Sequence, residues 1–196
     1  MKILLTYEQI QARIEEMAQE IDKGYEGQPY TVMALLNGAC YFAVDLTRHL
    51  KGDFILDSVL VSSYVDDHST GRITMRGTPK KPVAGRHVLL VDEVLDTALT
   101  LSSIKRYFKE QGAIDVKTAV LVQKSRPLHP QAKDFKAEWV GFQMPDRFLI
   151  GCGMDYNERF RQLPYIAEME ASDLSMYALY IGIFISPIQI LVELTE

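Results

Sequence analysis

The stretch Leu89–Thr100, "LLVDEVLDTALT", sets three carboxylates, Asp92, Glu93 and Asp96, directly before Thr97 and Thr100 at an apparent helix start. Carboxylates repel anions, whereas hydroxyls and free amides at a helix N-terminus attract them. A ligand that satisfies both halves carries one part that wants negative neighbours and one that wants positive ones. A phosphorylated ribose does so, with hydroxyls for the acids and a 5′-phosphate for the amides of residues 96–100. The acids equally suit a divalent metal. Read blandly, the three acids cap a helix, although capping usually takes one. There is no GxxxxGK[ST], and Gly151-Cys152-Gly153 is only a fragment of GxGxxG.

The surrounding elements must present these residues. Thr6 with Gln9 forms a capping box, and Ile10, Ile14, Met17 and Ile21 follow at helical spacing, which predicts an amphipathic helix over 7–22. "YTVMALL" (30–36) reads as a buried strand ended by Asn37-Gly38, 41–50 as a helix and 54–64 as a strand. Residues 65–86 are polar and rich in Gly and Pro, and predict a long loop with one weak strand around Arg72–Met75. "HVLLV" (87–91) reads as an apolar strand with Asp92 and Glu93 just past its end, followed by a helix near 100–110 and a strand over 116–123. Such alternation implies a mostly parallel sheet with both faces covered. Ligands of such sheets sit beyond the carboxyl ends of the strands.

The 196 residues suffice for one domain, without internal repeats or a dividing linker. Hydrophobic residues make up 47% and charged ones 24%, a globular balance. The net charge of −5 argues against indiscriminate nucleic-acid binding. Cys40 and Cys152 form no CxxC and read as reduced core residues of a cytoplasmic protein, and "MKILLTYEQ" has too few apolar residues for a signal peptide. Residues 174–192 carry no charge. That length could just span a bilayer, but Pro187, Gln189 and the serines favour a packed strand pair or a subunit contact.

"HVLLVDEVLDTALTL" resembles the phosphoribosyl-pyrophosphate signature of class I phosphoribosyltransferases. "WVGFQMPDRFLIGCGMDYNERFRQLPYI" (139–166) resembles the base-binding end of the hypoxanthine–guanine enzymes, and "LLNGACYFAVDLTRHL" and "SSYVDDHSTG" match that family in order and spacing. The resemblance implies one Rossmann-like α/β domain over 1–173. It would have a sheet of about five strands flanked by helices, and a small hood built from the N-terminal segment and part of 139–170. The tail, 174–196, lies outside the likeness.

The implied reaction moves ribose-5-phosphate from phosphoribosyl pyrophosphate to a purine, with Mg²⁺ as cofactor and a homo-oligomer as the assembly. As pyrophosphate leaves, the sugar carbon becomes cation-like, and a carboxylate about 4 Å away contributes up to ~4 kcal/mol at an effective dielectric of about 20. The likeness implies that Asp92 and Glu93 hold the ribose hydroxyls and metal. Asp96 would face the purine N7 as general acid–base, feeling the like charge of Asp92 and Glu93. Thr97, Ala98, Leu99 and Thr100, with Asp96, would cradle the phosphate. Lys124 would donate to the purine 6-oxo oxygen, Phe148 stack on the base and Leu149 offer its backbone. Asp155 would hold metal, Asn37, Gly38 and Arg161 pyrophosphate, and Ser63-Tyr64 begin a lid. Without the likeness, Lys124 reads as a solvated strand-end lysine, Phe148 as core packing and "DYNERFR" as a polar turn.

Two positions depart from the family pattern. Asn37 stands where relatives often carry Lys, beside a non-proline cis peptide, and Ala98 where they usually have Gly. A helical φ is expected at Ala98, where Ala is harmless. The rival from another class is a regulator that senses phosphoribosyl pyrophosphate without catalysis, which would not need Asp96, Lys124, Phe148 and Asp155 together. The other rival, a weakened enzyme, rests on Ala98 and Asn37.

Overall fold

The computed structural model describes residues 1–63, 73–170 and 172–173. Its centre is a six-stranded sheet in the order β4-β3-β2-β5-β6-β7. These strands are β2 (Tyr30–Leu36), β3 (Phe54–Ser63), β4 (Ile73–Arg76), β5 (His87–Leu95), β6 (Asp115–Lys124) and β7 (Trp139–Met144). All neighbours run parallel except β4, which pairs antiparallel with β3 at the edge. The expected five strands become six because "WVGFQM" joins the sheet instead of the hood. The segment is too glycine-broken and too short to announce itself by periodicity.

The interior is built from near-continuous apolar runs, as a doubly covered sheet requires. Val32, Met33, Val88, Leu89, Leu90, Val91 and Val120–Val122 are all buried. Helix α1 (Tyr7–Tyr25) starts on the Thr6–Gln9 capping box and buries Ile10, Ile14, Met17 and Ile21. It packs beside α2 (Cys40–His49) and against β7. The β2→β3 and β5→β6 crossovers step in opposite directions, so right-handed connections place α2 and α3 (Leu99–Glu110) on opposite faces.

A second, three-stranded sheet forms the hood, in the order β1 (Lys2–Leu5), β9 (Ile166–Glu168), β8 (Leu149–Ile150). The N-terminal segment and residues 149–168 thus meet in one sheet. Both cysteines are free. Cys152 is buried, but Cys40 is exposed, contrary to its reading as a core residue, because it opens α2 on the outward side. No helix among the described residues is long and apolar enough to cross a membrane. Tyr64 and the tail 174–196 lie outside the described residues.

Candidate active site

Strands β2 and β5 are neighbours whose chains leave in opposite directions, which opens a crevice at their carboxyl ends. Their pairing stops at Ala34↔Val91. Beyond it β2 turns through Leu36-Asn37-Gly38, with a cis peptide bond between Leu36 and Asn37. β5 does not end at Val91 as expected. It continues through Asp92 and Glu93 to Leu95, because β6 still pairs with it as far as Leu95↔Gln123. The two acids therefore sit on rigid strand backbone, with their β2 side open.

Glu93 lies against two glycines. A methyl group at Gly38 would collide with the Glu93 carboxylate, and one at Gly153, whose φ is +103°, would strike the Gly38 carbonyl. Gly153 thus brings the turn after β8 onto the crevice, a role that the Gly-Cys-Gly fragment hinted at only weakly. Glu93 Oε2 is buried, and among the described residues nothing donates to it. Burial, and then the neighbouring Glu93 charge, raise the pKa of Asp92 well above the usual aspartate value, against one compensating hydrogen bond from the Glu93 amide. Such a pair lacks donors. Ribose hydroxyls or a cation would supply them.

Downstream, the chain enters α3 through Ala98, which adopts φ 63° and ψ 0°. The expected helical φ is therefore wrong: turning sharply from a strand into a helix demands a left-handed residue here, and Ala98 is buried in it. α3 has no side-chain cap, so its first-turn amides at Leu99 and Thr100 have no protein partner from that source. The Thr97 carbonyl accepts from the His129 amide at 2.9 Å, which pins this cradle to the loop after β6.

Asp96 does not stand among carboxylates. Lys124 Nζ lies 3.4 Å from its Oδ2 and Arg126 Nη1 2.9 Å from its Oδ1, so its charged partners are cations. Lys124 is thus neither solvated nor free: its side chain is only 15% exposed. Arg126 also reaches Asp146 at 3.7 Å. Neither Arg126 nor Asp146 was anticipated. No periodicity could have found Arg126, since β6 ends at Lys124 and the chain bends at residues 125 and 126.

Phe148 packs in the hood core beside Leu163 and Tyr165, with its ring 5.7 Å from that of Tyr156 in a T-shaped arrangement. Leu149 is buried in β8, and the Phe148 carbonyl accepts from Met169. Asp155 and Arg161, expected to bind metal and pyrophosphate separately, pair with each other at 2.8 Å. Arg161 also donates to the Gly153 carbonyl at 2.7 Å, and the other Asp155 oxygen accepts from the Glu158 amide at 2.9 Å. "DYNERFR" is therefore a braced turn that holds Arg161 one residue contact from Gly38. Ser63 ends β3 opposite Ile73. Among the described residues no group of three or more His, Cys, Asp or Glu side chains could hold a metal alone.

A switch-point crevice, a donor-poor acidic pair and an uncapped helix start together define a fold built for phosphorylated ribose. The phosphoribosyl transferase domain model matches residues 2–157, and the chain belongs to that family. Within it, the chain groups with the hypoxanthine-guanine phosphoribosyltransferases. The Bacillus subtilis (strain 168) protein of that name is 34% identical over 170 residues, 86% of this chain and 93% of its own. That of Aquifex aeolicus (strain VF5) is 37% identical over 172 residues, 87% of this chain and 95% of its own. A Trypanosoma cruzi hypoxanthine phosphoribosyl transferase, solved to study the role of its C-terminal region in oligomeric state and activity, superposes with a TM-score of 0.83. It is 30% identical and covers 91% of this chain and 95% of its own.

Proposed function

We propose that this protein is a purine-salvage enzyme. It joins ribose-5-phosphate from phosphoribosyl pyrophosphate to N9 of hypoxanthine or guanine, giving IMP or GMP and pyrophosphate. The single observation that carries this reading is the acidic pair on β5, with its unpartnered buried oxygen, directly upstream of the uncapped start of α3. Asp92 and Glu93 accept from the ribose hydroxyls and stabilise positive charge as the bond from C1′ to pyrophosphate breaks. The amides of residues 97–100 hold the 5′-phosphate. Asp96 takes the purine proton while N9 attacks, and Lys124 donates to the 6-oxo oxygen, which disfavours adenine because its amino group is a poor acceptor. Phe148 flanks the base, and Arg161 with the amides of Asn37 and Gly38 meets pyrophosphate.

The residues present also fit Mg²⁺. Glu93 offers a buried oxygen without a donor, and one or two carboxylates plus phosphate oxygens are what that ion takes. Asp92 and Glu93 would hold it; Asp155, now paired with Arg161, does not group with them and would hold an ion apart from that pair. When bound, Mg²⁺ supplies charge neutralisation to the leaving pyrophosphate.

Free thiols at Cys40 and Cys152 support a reducing, cytoplasmic setting. Leu56 and Leu60, 53% and 41% exposed on one face of β3, support self-association into a dimer or tetramer. The test of function is pyrophosphate release with hypoxanthine, guanine, xanthine and adenine in parallel, with and without Mg²⁺. Turnover of the 6-oxopurines that needs Mg²⁺, with adenine silent, is expected. No release with any base would overturn the reading.

A further inference from the structure

Arg126 is not accounted for by the chemistry above. It leaves the end of β6 two residues after Lys124, and its guanidinium sits between Asp96, at 2.9 Å, and Asp146, at 3.7 Å. It therefore links the loop after β5, the end of β6 and the segment that leads into Phe148. In the free protein Asp96 has two cationic partners, one per carboxylate oxygen. A purine that takes the Lys124 ammonium for its 6-oxo oxygen removes one of them. The Lys124 contact is a hydrogen bond to Oδ2 at 3.4 Å, whereas Arg126 meets Oδ1 as an ion pair without hydrogen-bond geometry. Arg126 then remains as the positive charge that faces the Asp96 carboxylate.

We propose that Arg126 is a positioning residue for phosphoribosyl transfer, holding Asp96 against the purine once Lys124 has been drawn to the base. This rests on the functional reading above. The ion pair at Asp96 Oδ1 leaves Oδ2, the oxygen that Lys124 vacates, to face the purine proton. Asp146, 46% exposed, braces the other side of the guanidinium.

The experiment is a double-mutant cycle on steady-state rates, with Arg126→Gln, Arg126→Lys, Asp96→Asn and the two Asp96→Asn doubles. Arg126→Gln is expected to lower kcat roughly tenfold to a hundredfold, the effect of a misplaced catalytic group. KM for phosphoribosyl pyrophosphate should change by less than about twofold. Arg126→Lys keeps a charge opposite Asp96 and should recover most of that loss. In the Asp96→Asn background, Arg126→Gln should change kcat by less than about twofold, since its effect passes through the missing carboxylate. Equal losses in both backgrounds, or Arg126→Lys as slow as Arg126→Gln, would overturn the inference while wild-type turnover upheld the enzyme. A wild-type chain that releases no pyrophosphate would remove the functional reading and this inference together.

Discussion

Ala98 carries a local conflict between residue type and backbone. Its φ of 63° brings Cβ toward the following carbonyl, a penalty of about 1–2 kcal/mol that glycine avoids. Ala98→Gly should stabilise the protein by about 1 kcal/mol, a rise in Tm of roughly 2–4 °C by calorimetry in a domain of this size. Asp92 presents the opposite trade. Its raised folded pKa means that stability is fully present below the unfolded value of 3.8 and is lost as pH rises through the folded value. Asp92→Asn should therefore resist urea better than wild type at neutral pH, match it in strong acid, and bind phosphoribosyl pyrophosphate poorly. Urea midpoints across pH test this directly, and a parallel pH dependence in both proteins would refute it. At this scale the three acids and the threonines could be singled out by their spacing, whereas Lys124 stood out only through the family likeness. Arg126 did not stand out, because its meaning arises only when two strand ends meet.

The elements were legible where packing is local. The capping box and the Ile10–Ile21 stripe specify α1, and the apolar run specifies β2 to the residue. The end of β5 was not, since its last residues are held by pairing to β6 rather than by their own pattern. The two- to four-residue hood strands carry too little sequence to declare a period. Gly153 shows what joins hood to sheet: without a side chain, its turn can rest on the Gly38 carbonyl. Gly153→Ala must push these apart, taking Gly38 off Glu93. It should lower both Tm and kcat/KM, the latter roughly a hundredfold. Retained activity with lowered stability would show that the hood merely covers the crevice.

The connections of the six-stranded sheet diverge between β2 and β5, where the proposed substrate would sit, so the fold would supply the cleft and the loops the chemistry. The doubly wound architecture was readable from alternating elements. What the chain does as an assembly was less so, because an apolar sheet face and an uncharged tail do not name their cover. If Leu56 and Leu60 face a second copy, Leu56→Lys with Leu60→Lys should lower the solution mass measured by light scattering while far-UV circular dichroism stays unchanged. A mass equal to that of wild type would assign those leucines no such role.

The arrangement as a whole is tested most directly by a crystal structure of the protein with GMP. The 5′-phosphate should lie on the amides of Thr97–Thr100, the ribose hydroxyls on Asp92 and Glu93, and the purine between Asp96, Lys124 and Phe148. A nucleotide bound elsewhere, with the β5 acids and the start of α3 untouched, would contradict it.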